Sequence, residues 1–204
     1  MARPRSESRE ELVLSAMRVF WKRGFASTSI EDLVNATGVG RGGIYGDFRN
    51  KDGLLLGCLQ AYRDKFVDPA LAILHSEEDG LAAIDAYFTH FIDLHKKHGM
   101  PGPGCFFANA MTELAPHDEA VRAIVAQHMT DLRTAFRGAI ERYDLRAGVN
   151  LTAGERDELA GFLATASQGL WSYGRSIADV RELERFKDVL IQLLKARLGI
   201  SSSN

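Results

Sequence analysis

Three residues in the stretch from Thr28 to Lys51 carry groups that bind phosphates or read the edges of nucleic-acid bases. Thr28 and Ser29 place hydroxyls at the predicted start of a helix, where free backbone N–H groups also attract an anion. Arg41 can reach a guanine edge through two hydrogen bonds or bind a phosphate. Taken singly, each residue also fits ordinary helix capping or surface exposure. All three residues can hydrogen-bond to a nucleic acid, which is the function that they have in common.

The elements that must position these groups are two short helices joined by a glycine-containing turn. Thr28 with Glu31 three residues later fits a capping box, which predicts the start of the first helix. Gly38 predicts its end, in a left-handed conformation. Ile44 and Phe48 lie four residues apart and mark the buried side of the second helix. This order predicts a helix-turn-helix, whose second helix can enter the major groove of DNA.

The flanking sequence predicts a small three-helix core around this motif. A helix over Ser8–Arg23, ended by Gly24, carries an apolar stripe, and residues 1–7 form a polar, basic arm. A long helix that opens at Asn50 connects this unit to the rest of the chain. Pro69 is expected to kink or end that helix, because proline lacks the backbone donor.

The remaining sequence shows helical periodicity and no strand alternation. Met100–Gly104, with two prolines and two glycines, is the clearest break, and Thr152 with Glu155 forms a second capping box. The predicted helices cover Asp79–His98, Cys105–Leu114, His117–Tyr143, Ala153–Tyr173 and Val180–Leu198. The predicted fold is all-α: an N-terminal three-helix unit over residues 1–53 on a larger helical body over residues 54–204.

Composition and charge restrict the class of protein. The 204 residues include 46% hydrophobic and 25% charged residues, which is ordinary for a cytoplasmic globular protein. We expect no membrane span, no secretory signal and no disulfide framework. The net charge of −2 is unevenly distributed. Residues 1–53 hold nine Lys and Arg against seven Asp and Glu, whereas the rest holds sixteen against twenty, so the N-terminal part is the one suited to phosphates.

Over residues 8–56 the sequence resembles the TetR family of transcriptional regulators. The resemblance rests on Gly24-Phe25-Ala-Ser-Thr28-Ser29-Ile30, on Gly38-Val39-Gly40-Arg41-Gly42-Gly43-Ile44-Tyr45-Gly46-Asp47-Phe48 and on Asn50-Lys51. It implies a homodimer that places two recognition helices on a palindromic site in double-stranded DNA, under the control of a small ligand. Repression rather than activation is part of what the resemblance implies.

The resemblance also assigns roles to individual residues. Tyr45 matches a tyrosine that donates to a DNA phosphate, and Lys51 matches a lysine that does so from the start of the next helix. Gly42 and Gly43 would let the backbone approach the groove closely. Gly43, Gly46 and Asp47 depart from the common pattern, which leaves the operator sequence open.

The aromatic residues of the body predict an effector cavity, with core packing as the alternative for each of them singly. The low polarity of the set points to an apolar or aromatic effector. The candidate lining residues are Tyr62, Phe66, Phe88, Phe91, Cys105, Phe107, Met111, His128, Met129 and Trp171.

Cys105 follows the Pro-Gly-Pro-Gly segment at the predicted start of a short helix, where the helix dipole favours a thiolate. Gly-Cys at this position resembles a TetR subgroup that responds to electrophiles and oxidants. A thiol-reactive effector is therefore one hypothesis, and a small buried cysteine is the alternative. Cys58 is expected to belong to the core.

The last two long helices are predicted to form the dimer face. A four-helix bundle across a two-fold axis would bury small and large apolar groups from both, whereas packing within one chain is the alternative. The residues are Phe162, Thr165, Ala166, Gly169, Leu170, Phe186, Val189, Leu190, Leu193 and Leu194.

Two further functions stay open at this stage. One is a thiol-dependent enzyme that pairs Cys105 with a histidine such as His128, although the sequence contains no phosphate loop, Ser/His/Asp order or cofactor fingerprint. His95 and His98 have metal-ligand spacing but no evident third ligand, so we expect no metal and no cofactor. The other is a DNA-binding dimer without an effector.

Overall fold

The computed structural model describes residues 5–76 and 79–200 and confirms the all-α prediction. The helices are α1 (Arg5–Arg23), α2 (Ile30–Thr37), α3 (Arg41–Phe48), α4 (Lys51–Tyr62), α5 (Asp68–Leu74), α6 (Gly80–His98), α7 (Phe106–Glu113), α8 (Glu119–Ala147), α9 (Ala153–Tyr173) and α10 (Arg181–Arg197). A π-helical turn, Arg63–Val67, joins α4 to α5. Over the described ranges there is no strand, and no helix is long and apolar enough to cross a membrane.

The chain divides into two compact units. The first comprises residues 1–68 and 109–123, and the second comprises residues 69–108 and 124–204. The first unit therefore includes the end of α7 and the start of α8 as well as the N-terminal helices. The sequence-based boundary after residue 53 concerns function and stays a prediction. Residues 1–4 of the expected basic arm and the tail over 201–204 lie outside the described residues.

The first unit has the predicted three-helix core. Phe20 of α1, Leu33 of α2 and Ile44 of α3 are almost fully buried, and Leu54 and Leu55 of α4 close the core. Burying each such side chain contributes about 1.5–3 kcal/mol. The start of α1 was predicted at Ser8, which was wrong, because the helix already includes Arg5.

The capping box of α2 lies one residue later than predicted. Ser29, not Thr28, is the N-cap: its hydroxyl accepts from the Asp32 N–H, and the Asp32 carboxylate accepts from the Ser29 N–H. Both pairs fit the same four-residue pattern, since serine and aspartate are as good in it as threonine and glutamate. The second predicted box, Thr152 with Glu155, is confirmed at α9.

Pro69 does not end the helix that leaves the first unit. The π-helical turn Arg63–Val67 precedes it, and α5 begins at Asp68, which leaves the proline in a first turn where its missing N–H costs little. Local rearrangement of the helical hydrogen bonds thus accommodates the proline.

In the second unit, α6, α8, α9 and α10 enclose an aromatic core. Phe88 and Phe136 are fully buried and stacked with their ring centroids 6.0 Å apart, and Leu163 of α9 is buried as well. The Lys187 ammonium donates to the Asp85 carboxylate at 3.1 Å and thereby ties α10 to α6. Buried Asp144 accepts from the Leu151 N–H and the Arg156 guanidinium, which fixes the connection between α8 and α9.

Candidate DNA-binding surface and effector region

The N-terminus of α2 presents backbone donors more than hydroxyls. Ser29 is exposed, but its hydroxyl donates to Asp32 Oδ2 at 2.6 Å and accepts from the Asp32 N–H. These contacts with Ser29, followed by the nearby Arg23 guanidinium, lower the pKa of Asp32. A phosphate at this end would therefore meet first-turn N–H groups and the helix dipole, with the serine engaged in the cap.

Thr28 and Lys51 both make contacts within the unit. Thr28 is 1% exposed, and its hydroxyl donates to the Gly24 carbonyl at 2.6 Å. The Lys51 ammonium donates to the carbonyls of Phe25 and Thr28, each at 2.9 Å, and lies 4.0 Å from the centroid of the Phe25 ring. An ammonium has three donors, so Lys51 keeps one for a phosphate, whereas a direct phosphate contact by the Thr28 hydroxyl is not favoured.

Arg41 and Tyr45 lie on the exposed side of α3, as the recognition helix of a helix-turn-helix requires. Tyr45 is 44% exposed, while Ile44 and Phe48 are buried on the opposite side. Gly42 is open: a Cβ built there would meet nothing within 4 Å among the described residues. A Cβ built at Gly43 would lie 2.7 Å from a methyl of Val39, so a larger residue there would require the Val39 side chain to shift. Arg41 forms an exposed ion pair with Glu31 of α2 at 3.1 Å.

An open groove of about 550 Å³ lies between α1 and α2 and adds cationic groups that sequence reasoning did not single out. Arg18, Lys22 and Arg23 line it together with Asn35 and Asp32, and Asp32 forms an ion pair with Arg23. The sequence signal is the i, i+4 spacing of Arg18 and Lys22, with Arg23 next to Lys22.

Glu113 makes a long-range contact with the first unit's N-terminal turn that sequence reasoning missed. It ends α7, and its carboxylate accepts from the N–H groups of Phe25 at 3.1 Å and Ala26 at 2.7 Å, in the turn between α1 and α2. The partners are 87 and 88 residues apart, so no local pattern indicates the contact.

The predicted effector residues are divided between the two units. Tyr62 and Phe66 belong to the first unit, where both rings contact Trp21 within 5.3 Å. Met111 also belongs to the first unit, whereas Met129 is a half-buried residue of the second. The second unit brings together Phe88, Phe91 and Trp171, with the Phe91 and Trp171 centroids 4.6 Å apart.

The second unit also buries polar groups, among them His128 and Gln168. Phe107 stacks on buried His128 at 4.5 Å, and His128 lies 3.4 Å from the side-chain nitrogen of Gln168. The Gln168 Oε1 is buried without a hydrogen-bond partner among the described residues. Burial raises the pKa of Tyr87, and contacts with Trp171 and Ser167 act against that rise. Sequence reasoning missed Tyr87 and Gln168, although both follow the helical spacing of predicted residues.

The two cysteines are buried, and neither forms a disulfide. Cys105 directly precedes α7 and is 6% exposed. Cys58 is fully buried, its thiol lies 3.5 Å from the Val13 carbonyl, and burial raises its pKa. The prediction that Cys58 belongs to the core is confirmed.

The predicted dimer face separates into an exposed and a buried set. Leu170, Leu190 and Leu194 are each 2% exposed and pack within the chain, so their assignment to the face was wrong. Phe162, Phe186, Val189 and Leu193 are between 41% and 58% exposed. Thr165 and Gly169 are also exposed, and Ala166 is half-buried. We call Phe162, Phe186, Val189 and Leu193 the apolar strip.

An exposed helix-turn-helix and a separate helical body define a DNA-binding regulator. The family model described as bacterial regulatory proteins, tetR family, matches residues 12–58. The model of the tetracyclin repressor-like C-terminal domain matches residues 80–190. The chain belongs to the TetR family of DNA-binding transcriptional regulators.

Individual relatives agree with this assignment. The HTH-type transcriptional repressor ComR of Escherichia coli is 29% identical over 94% of this chain and 90% of its own. A TetR regulator from Chloroflexus aurantiacus has a TM-score of 0.80 at 24% identity, over 93% of this chain and 95% of its own. A cysteine mutant of the TetR regulator CifR, solved with 26-base-pair operator DNA, has a TM-score of 0.81 at 24% identity, over 93% and 98%. The two solved structures establish the likeness of fold.

Proposed function

We propose that this protein is a cytoplasmic, homodimeric repressor that occupies a palindromic operator and leaves it when a small molecule binds the second unit. The observation that carries the proposal is the apolar strip on α9 and α10. The same chain presents α3 as an exposed recognition helix. One recognition helix binds a single half-site, so a dimer of the chain is needed to bind a palindromic operator. The naming of ComR as a repressor supports repression.

The exposure of the apolar strip supports the proposed dimer. Phe186, Val189 and Leu193 lie at i, i+3 and i+7 and so share one side of α10. Phe162 supplies a fourth large apolar group from α9. Contiguous apolar surface of this kind is rare on monomers, whereas a self-complementary contact between two copies would bury it.

An effector site is supported by buried polar and aromatic groups of the second unit. A buried carbonyl oxygen without a donor costs about 1–3 kcal/mol, and a ligand hydroxyl or amine would remove that cost at Gln168 Oε1. In the same unit Phe88 and Phe91 both contact Trp171, and rings of this kind favour a flat apolar body. We propose an aromatic effector that carries one hydrogen-bond donor.

A thiol-reactive effector is the second form of this proposal. Cys105 begins the segment that leads into α7, so a covalent adduct there would displace the first turn of that helix. Operator release by N-ethylmaleimide should be compared in the wild type and in Cys105→Ser. Equal release from both proteins would exclude Cys105 as the sensor.

The function as a whole is tested by selecting bound fragments from the source genome and searching them for a palindrome. The expected result is one strong palindromic site that binds two chains, measured by fluorescence anisotropy and light scattering. A monomer on DNA, or binding without sequence preference, would contradict the proposal.

A further inference from the structure

We infer that Glu113 is a positioning residue for DNA binding, through which the state of α7 sets the affinity of the first unit for its operator. Both carboxylate oxygens are used: Oε2 accepts from the Phe25 N–H at 3.1 Å and Oε1 from the Ala26 N–H at 2.7 Å. Hydrogen bonds to a charged acceptor are the stronger kind. The turn between α1 and α2 is thus attached to a residue far along the sequence.

Gly24 makes this two-point contact possible. Its φ of +87° is a left-handed conformation, which ends α1 and allows the next two N–H groups to converge on one anion. A Cβ built at Gly24 would lie 3.1 Å from Glu113 Oε2. Both the backbone conformation and the closeness of the carboxylate therefore require glycine at this position.

The other side of the same turn is attached to α4. Lys51 donates to the carbonyls of Phe25 and Thr28, and the Thr28 hydroxyl donates to the Gly24 carbonyl. Ser29, the N-cap of α2, follows directly. Glu113 binds N–H groups of this turn and Lys51 binds its carbonyls, so the turn that leads into α2 is held between an anion and a cation.

The position of the carboxylate depends in turn on α7. This helix has only eight residues, and Glu113 is its last. The N–H groups of Leu114 and Ala115 both donate to the Ala110 carbonyl and close the helix end. Fraying of so short a helix would withdraw the anion from the turn and loosen the N-terminus of α2, which faces the phosphates.

The inference rests on DNA binding by the proposed repressor, and operator affinity is its first test. Glu113→Ala should weaken operator binding by about tenfold, the equivalent of one charged hydrogen bond. The operator affinity of Glu113→Gln should lie between those of the wild type and Glu113→Ala. Its amide oxygen still accepts one hydrogen bond, while its amide nitrogen opposes the second N–H. Glu119→Ala is the control, because Glu119 is an exposed carboxylate in the same unit. It should bind within twofold of the wild type.

A double-mutant cycle separates positioning from mere stability. Ala110→Gly weakens α7 and should lower operator affinity in the wild type, but should cause no further loss in Glu113→Ala, where the contact is already absent. Its effect on urea unfolding should be the same in both backgrounds. Equal losses of affinity in both backgrounds, or Glu113 variants that bind like the wild type, would overturn the inference alone. A wild type that binds no DNA would overturn the proposed function as well.

Discussion

The guanidinium of Arg41, at the start of α3, lies 3.1 Å from the carboxylate of Glu31 on α2. Both side chains are mostly exposed, and an exposed pair of this kind contributes only about 0.2–1 kcal/mol. A DNA phosphate or a guanine edge can therefore compete for Arg41 with little opposition. In the free protein, the pair keeps the guanidinium close to the surface that we expect to meet DNA.

Glu31→Gln should tighten binding to all DNA sequences by about threefold, because it removes an anion from the DNA side and releases Arg41. Arg41→Ala should instead relax specificity by about 1–3 kcal/mol if the guanidinium reads a base. The change in affinity and the change in specificity are both measured by fluorescence anisotropy titrations with operator and scrambled DNA. Weaker operator binding by Glu31→Gln would mean that the carboxylate orients Arg41 for readout.

Lys51→Met should lower the free energy of unfolding by at least about 1 kcal/mol, since it removes two hydrogen bonds and the contact with the Phe25 ring. Tyr45→Phe is the matched variant: it removes an exposed hydroxyl and should weaken DNA binding without a change in unfolding. Urea unfolding and the salt dependence of binding separate the two effects. A Lys51→Met protein as stable as the wild type would contradict the structural role of Lys51.

Leu193→Glu should convert the proposed dimer into a monomer and abolish operator binding, because it places a charge in the apolar strip. Leu145→Glu is its control, since Leu145 of α8 is 77% exposed and lies outside the strip. Light scattering at micromolar concentration measures both variants. If Leu145→Glu dissociates the protein and Leu193→Glu does not, the dimer face has been placed on the wrong helices.

Glu155 should make the stability of the second unit depend on pH, with a loss of stability in acid. Its hydrogen bond from Arg197, then those from Thr152, lower the pKa of Glu155 from 4.5 to about 2. A depressed pKa stabilises the folded state above pH 4.5, and the contribution is lost as the pH falls from 4.5 towards 2. Glu155→Gln should therefore lower the Tm at pH 7.

The Tm difference between Glu155→Gln and the wild type should narrow below pH 4.5. Glu158→Gln, an exposed neighbour on α9, should show no such trend. A difference that widens in acid would contradict the assignment of the effect to Glu155.

Local patterns predicted the helices well, because caps and apolar periodicity act over a few residues. Thr152 with Glu155 was placed correctly, whereas Thr28 was taken as the N-cap in place of Ser29 because two overlapping pairs satisfy one pattern. The leucines at 170, 190 and 194 show a different limit. Helical periodicity identifies apolar positions, but it does not tell which side of a helix packs inside the chain and which faces a partner.

Contacts between residues far apart in the chain have no local sequence pattern that predicts them. Glu113 lies 88 residues from Phe25, and nothing near either residue indicates the pairing. The predicted effector residues were chosen for their apolar character, which does not separate Tyr62 beside Trp21 from Phe91 beside Trp171. Only the packing of the chain assigns them to different units.

The glycines of α3 have a consequence for the evolution and redesign of sequence preference. A Cβ built at Gly42 or Gly46 would meet no described atom within 4 Å, whereas one at Gly43 would press against Val39. Asparagine or arginine at 42 or 46 would add a base-reading group, and replacing glycine would also favour the helix by a few tenths of a kcal/mol or more. New target sites could thus be acquired one residue at a time without repacking the core.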